Sequence, residues 1–292
     1  MKRVRAAPVA ILAGLLAAPL ALPSAATVGS SAEGPPSPPR AVNVMCPSPA
    51  LGGTLPAVVY LPAGYAQGST RYPVVYFLHG LPAGPTTYTA NSFVAAAAAA
   101  SGHSAIVAVP QGAREQNSDR EYLDWAPDED WPAAINRDLV RCVDHRFRTV
   151  ARRSGRALVG LSAGGFGAFN IGLRSLRTFA AVEAWSGYFA ATDPSGLTVL
   201  DLGSAQANRR ARIPQDEVLR RGLRAHPTFI GFYVGGQDTR FLQDNIDLDR
   251  AFTADGIPHR FTIYPGGHST SLWAQSGPMW LGLALARLDA PS

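Results

Sequence analysis

What most constrains this chain is a repeated alternation of short, continuously apolar runs with stretches of helical spacing. The runs "TLPAVVYLP" (54–62), "YPVVYFLHG" (72–80), "SAIVAVP" (104–110), "RALVGLS" (156–162), "FAAVEAWSG" (179–187), "TFIGFYVGG" (228–236) and "HRFTIYPGG" (259–267) are rich in β-branched and aromatic residues. Pro and Gly bound them, which marks strands. Helices are expected over 93–102, 132–147, 163–174, 214–224, 240–255 and 269–288, with Ile135, Leu139, Val143 and Phe147 forming one stripe of the second. Two loop-rich excursions, 110–131 and 187–212, interrupt the series. Strands that are apolar on both faces and alternate with helices predict a mostly parallel central sheet with helices on both faces. In such a sheet ligands bind outside the carboxyl ends of the strands.

Four of those ends carry chemistry: His79–Gly80, Ser162, Asp238 and His268. A serine hydroxyl becomes a nucleophile only when a neighbouring imidazole accepts its proton. The imidazole in turn needs a carboxylate to fix its tautomer and stabilise the imidazolium. The order Ser…Asp…His is that of the α/β-hydrolase fold, and Gly160 and Gly164 complete a G-x-S-x-G elbow around Ser162. The expected oxyanion donors are the backbone N–H groups of Ala163 and of Leu81, with His79 and Gly80 shaping the loop that presents Leu81. His79 is an alternative base, although it precedes the serine. His103, His145, His226 and His259 read as surface or packing residues. For the acid, Asp193, Asp244 and Asp247 compete with Asp238, and Asp138 and Asp144 read as solvated residues of a helix. In the 110–131 excursion, Tyr122, Asp124, Trp125 and Trp131 either line the substrate pocket or belong to a packed surface loop. Trp273 is expected to border the site and Trp280 to lie in the core.

The start of the chain reads as an address. "MKRVR", then "AAPVAILAGLLAAPLAL" and "PSAA", have the basic, apolar and small-residue regions of a secretory signal peptide, residues 1–26, cleaved after Ala26. An uncleaved anchor is the alternative, but Pro8 and Pro19 interrupt an apolar run that is short for a membrane span. Residues 27–40 are Pro/Ser-rich and read as a linker, leaving 41–290 as one domain. The net charge of +5 comes almost wholly from arginine, with Lys2 the single lysine. Without residues 1–26 the balance is 23 basic against 21 acidic side chains, which excludes a strongly basic nucleic-acid-binding surface. In an exported chain the two cysteines, Cys46 and Cys142, are expected to form a disulfide, with two buried thiols as the alternative.

With these residues in place, the chain resembles the esterase family of the α/β-hydrolase superfamily that includes S-formylglutathione hydrolases, feruloyl esterases and the antigen 85 mycolyltransferases. The resemblance runs from about Ala41 to Leu288, through "YPVVYFLHG", "VAVPQG", "GLSAGGFGAFNIGLRSLRTFAAVEAWSG", "FYVGGQD" and "YPGGHSTSLW". It implies an acyl-enzyme mechanism on Ser162, Asp238 and His268 with no metal and no organic cofactor. It departs from the mycolyltransferases at Ala163, where they have methionine, at Asp238, where they have glutamate, and in the uncharged "LPAGPTTYTA", where theirs is charged. A trehalose-binding role therefore does not carry over. The expectation is a secreted serine esterase acting on a small-molecule or envelope-polymer ester. An acyltransferase to a sugar or lipid hydroxyl is the alternative, and a non-catalytic cell-surface binding protein a third.

Overall fold

In the computed structural model the described residues are 39–115, 121–192, 198–213 and 217–292. The stretch read as a signal peptide, most of the linker and the competing acid Asp193 lie outside them. Eight strands form one sheet: β1 (Arg40–Ser48), β2 (Gly53–Leu61), β3 (Val74–Leu78), β4 (Ile106–Pro110), β5 (Arg156–Leu161), β6 (Ala181–Trp185), β7 (Phe229–Gly235) and β8 (Arg260–Tyr264). Their order is β1-β2-β4-β3-β5-β6-β7-β8, antiparallel among β1, β2 and β4 and parallel from β4 onward. This is the mostly parallel sheet of the α/β-hydrolase fold. Its first strand starts at Arg40, inside the stretch read as linker, and Ser292 exchanges two backbone hydrogen bonds with Arg71 at the other end.

β1 has no counterpart among the expected strands. Its burial alternates along the second half of "RAVNVMCPS", with Val44, Cys46 and Ser48 buried and Asn43, Met45 and Pro47 exposed, so it presents no continuous apolar run to mark it as a strand. Its Cys46 is disulfide-bonded to Cys142, with Cα atoms 5.6 Å apart.

The helices are α1 (Ser92–Ala100), α2 (Trp131–Ala133), α3 (Val140–Arg146), α4 (Ala163–Gly172), α5 (Ala205–Arg210), α6 (Glu217–Ala225), α7 (Leu242–Ala254) and α8 (Thr270–Leu285). A π-helical stretch, Ala134–Leu139, joins α2 to α3 where one regular helix was expected. Ile135, Leu139 and Val143 are fully buried there, and Phe147, extended at the end of α3, is partly buried against the same core. α5 falls in a region expected to be loop. Along β3, Val74, Tyr76 and Leu78 point into one core with Phe166 and Phe169 of α4, while Val75 and Phe77 point into the other with residues of α1 and α8.

Asp138 and Asp144 are not solvated. Asp138 is buried and accepts hydrogen bonds from Ser48 Oγ at 2.9 Å and from the Ala50 N–H at 3.1 Å. Burial raises its carboxyl, but the bonds from Arg137, Ala50 and Ser48 outweigh that and hold it below the usual carboxylate range. Asp144 is held by Arg156 and Thr149. Asp138 ties the helical segment to Ser48 and Ala50, far back in the sequence, and Asp144 ties it to the following β5 through Arg156.

The chain runs from β3 to β4 on one side, then crosses to β5 on the other side of β3. The carboxyl ends of β3 and β5 therefore flank a switch in strand direction, where an open sheet leaves a crevice. His79–Gly80 follows the first of these strands and Ser162 the second.

Candidate active site

Ser162 sits between β5 and α4 with φ 53° and ψ −122°, a conformation that costs a non-glycine residue on the order of 1–3 kcal/mol. Backbone bonds hold it there: the Ser162 N–H donates to Trp185 O at 2.9 Å, and Ser162 O accepts from Gly165 N at 2.9 Å and Phe166 N at 3.1 Å. The strand reverses into the helix so tightly that a Cβ on Gly160 would meet Gly164 O at 2.1 Å. One on Gly164 would meet Leu78 O at 2.0 Å. Glycine is required at both positions, as the elbow motif predicts.

Asp238 follows β7 and His268 follows β8. His268 Nε2 lies 3.0 Å from Ser162 Oγ, and its Nδ1 lies 2.7 Å from Asp238 Oδ2. Asp238 is 2% exposed, and its other oxygen accepts from the backbone N–H groups of Arg240 and Phe241 at 3.2 and 3.3 Å. With Nδ1–H donating to the carboxylate, Nε2 faces Ser162 as an acceptor. Phe241 and Trp273 present their rings edge-on to His268, with centroids at 5.1 and 5.0 Å, and Trp273 Nε1–H donates to Ser186 Oγ at 3.0 Å. The structure thus brings together Ser162, Asp238 and His268, which are far apart in sequence. Asp244 and Asp247 lie away from the imidazole; Asp244, on α7, has a raised carboxyl pKa through burial and the neighbouring Asp247.

The loop after β3 packs on the elbow. His79 is buried, and its Nδ1–H donates to Gly80 O at 2.9 Å. Burial pushes its imidazole pKa down, so the ring is neutral at physiological pH and unsuited to hold a proton for catalysis. Ala163 is the first residue of α4, where a helix leaves its N–H groups without intrahelical partners. Leu81 and Ala163 both line a cleft of about 270 Å³ that opens over Ser162. Its apolar wall includes Phe93, Leu161, Phe241 and Trp273. Trp280 is fully buried in the core, as expected.

None of the described residues of 110–131 lines that cleft. Tyr122 instead backs the loop after β3 from the core: it is 2% exposed and its hydroxyl donates to His79 O at 2.9 Å. Trp131 is a core residue and Trp125 packs against the core. Asp124 lines a separate cavity. No local sequence signal marks Tyr122, because its partner lies 43 residues earlier. Of the remaining histidines, His103 and His145 are exposed, His226 is half-buried, and His259 stacks on Phe232 and pairs with Asp249 at 2.9 Å. Among the described residues no three His, Cys, Asp or Glu side chains converge to hold a metal ion.

The family model described as "Putative esterase" matches residues 48–276, which span the elbow, the acid and the histidine. The chain belongs to this esterase family. Two curated relatives, Esterase Rv1288 and Esterase MT1326 from two Mycobacterium tuberculosis strains, are each 26% identical over 247 residues. Those matches take in 75% of this chain and 53% of each relative, so the chain spans about half the length of the curated relatives it matches. Among solved structures, a ferulic acid esterase superposes with a TM-score of 0.69 at 24% identity, over 85% of this chain and 98% of its own. The S-formylglutathione hydrolase of Staphylococcus aureus gives 0.65 at 22%, over 84% and 98%. MPT51 of Mycobacterium tuberculosis gives 0.64 at 19%, over 86% and 99%. These likenesses establish the esterase family's fold for this chain.

Proposed function

We propose that this member of the esterase family is a secreted serine esterase that hydrolyses carboxylic esters through an acyl-Ser162 intermediate. One observation carries the reading: the unbroken hydrogen-bonded chain from Ser162 Oγ through the His268 imidazole to the buried Asp238. In the first half-reaction Ser162 Oγ attacks the ester carbonyl carbon while its proton passes to His268 Nε2. The carbonyl oxygen gains the negative charge between the N–H groups of Leu81 and Ala163, which lie on two segments that approach closely at Gly164. Asp238 holds the imidazolium in place through Nδ1. Collapse of the tetrahedral adduct breaks the bond to the alcohol oxygen, which takes the proton from Nε2. Water then attacks the acyl-enzyme by the same path, releasing the acid and restoring Ser162.

Cleft size points to the substrate class. A space of about 270 Å³ is at the small end for ligand sites, and it suits a short acyl chain or a single ring rather than a long lipid tail. Secretion is supported by the leader-like start and the Cys46–Cys142 disulfide, since such bonds persist in oxidising compartments. No helix among the described residues is long and apolar enough to cross a membrane.

The reading is tested by turnover of p-nitrophenyl acetate, butyrate and palmitate by wild type and by Ser162→Ala. It predicts hydrolysis that favours the short chains and is lost in the variant; equal turnover by Ser162→Ala overturns it. Export is tested by N-terminal sequencing of protein recovered from the medium, which should begin at Thr27.

A further inference from the structure

We propose that Arg240 is the specificity-determining residue of the cleft and selects esters that carry an anionic group, a carboxylate or phosphate, several bonds from the ester carbonyl. The inference rests on the reading of Ser162 as the nucleophile. Among the described residues, Arg240 is the one lining the cleft with a permanent positive charge, and no acidic side chain lines it. Asp238 is shut behind His268, and His79 is held neutral by burial. A cleft whose charge has one sign and whose wall is apolar concentrates ligands of the opposite sign.

The cation is also unspent. Arg152, Arg156, Arg220 and Arg224 are each held by a carboxylate. Among the described residues no carboxylate pairs with the Arg240 guanidinium. Its backbone N–H is pinned to Asp238 Oδ1, which anchors the residue beside the triad acid. From there the guanidinium carbon lies 4.9 Å from the centre of the Phe241 ring, and that ring lies 5.1 Å from His268. The charge is therefore within about 10 Å of the imidazole, the combined reach of the two ring contacts. Stacking by one face leaves the guanidinium N–H edges free to grip two oxygens of a carboxylate or phosphate. A group held there sits a few bonds from a carbonyl poised over Ser162.

Matched esters separate the two positions the anion can occupy. On the acyl side, kcat/KM for the p-nitrophenyl half-ester of glutaric acid is compared with that for p-nitrophenyl butyrate. On the alcohol side, 4-butyryloxybenzoate is compared with phenyl butyrate. At low ionic strength the wild type should prefer the anionic member of at least one pair by about 10-fold, the scale of a charge-assisted contact weakened by solvent. Arg240→Gln should bring that ratio close to one and Arg240→Glu should invert it. Raising ionic strength from about 0.05 to about 0.5 M should compress it in wild type only. A ratio near one in wild type, or one that survives Arg240→Gln, overturns the proposal while turnover of the neutral esters still upholds the esterase reading. Should no ester be turned over, that reading fails instead. Binding of monoethyl against diethyl glutarate to Ser162→Ala, measured by isothermal titration calorimetry, then decides the Arg240 proposal: equal affinity refutes it.

Discussion

Replacing Gly164 with alanine drives two backbone segments apart at the point where both proposed oxyanion donors are held. The new Cβ would lie 2.0 Å from Leu78 O, 2.5 Å from Leu78 C and 2.7 Å from His79 O. All three are backbone atoms, so no side chain can swing aside. Reaching a tolerable 3.0 Å requires the start of α4 to move about 1 Å from the end of β3. One segment carries Ala163 and the other leads directly to Leu81, so the shift opens the gap between their N–H groups. Misplacement of that size, or loss of one donor, costs on the order of 10²- to 10³-fold in kcat. Overpacking adds roughly 1–3 kcal/mol of destabilisation. At about 2–4 °C per kcal/mol for a domain of this size, the melting temperature should fall by several degrees, leaving the variant folded at 25 °C. The assay is kcat and KM for p-nitrophenyl acetate alongside a circular-dichroism melt. Gly53→Ala serves as control, because its Cβ would meet nothing nearer than 4.0 Å. A folded Gly164→Ala protein with kcat within about threefold of wild type refutes the argument that this contact sets the donor geometry.

Four further outcomes follow from the same structure. Asp238→Asn should lower kcat by roughly 10³- to 10⁴-fold, and Asp193→Asn and Asp247→Asn by less than about threefold; a larger loss in either of the latter moves the acid's role away from Asp238. Glu183 is fully buried on β6, and burial holds its carboxyl well above its ordinary pKa of 4.5 despite the bond from Trp185. Its contribution to stability is therefore full below that ordinary value and lost as pH rises through the folded one. The melting-temperature gain of Glu183→Gln should grow between about pH 5 and 9, and a gain flat across that range contradicts the assignment. Reducing the Cys46–Cys142 disulfide, which closes a separation of 96 residues, should cost about 4–5 kcal/mol and lower the melting temperature by about 10 °C, as compared in paired melts with and without reductant. Gly282→Ala in α8 adds a Cβ whose nearest neighbour, Ser101 O, is at an ordinary 3.6 Å, so it should raise stability by about 0.5–1 kcal/mol by chemical denaturation.

The parallel part of the fold was legible because its strands, apart from the edge strand β8, are buried on both faces. Burial on both sides demands continuous apolar runs, and in an open parallel sheet their carboxyl ends are where functional side chains collect. Ser162, Asp238 and His268 could therefore be read as one set from their places at strand ends, their order and the elbow glycines, with Asp193, Asp244 and Asp247 as competing acids and His79 as a competing base. β1 escaped because an edge strand covered on one face needs only alternate apolar residues, and Ser48, buried but polar, breaks even that pattern. Tyr122, Asp138 and Asp144 were misjudged or left open for a different reason. Each is a polar residue whose partner comes from another segment: the carbonyl of His79, Ser48 with Ala50, and Arg156. Nothing in a polar side chain's immediate neighbours tells whether water or a remote hydrogen bond will satisfy it.

The central claim is that Ser162 becomes acylated. It is tested most directly by treating the folded protein with a fluorophosphonate, digesting it and mapping the adduct by mass spectrometry. The account predicts one adduct, on the peptide containing Ser162, with labelling abolished by Ser162→Ala and strongly slowed by His268→Ala. Labelling at another residue, or undiminished labelling of Ser162→Ala, would contradict it.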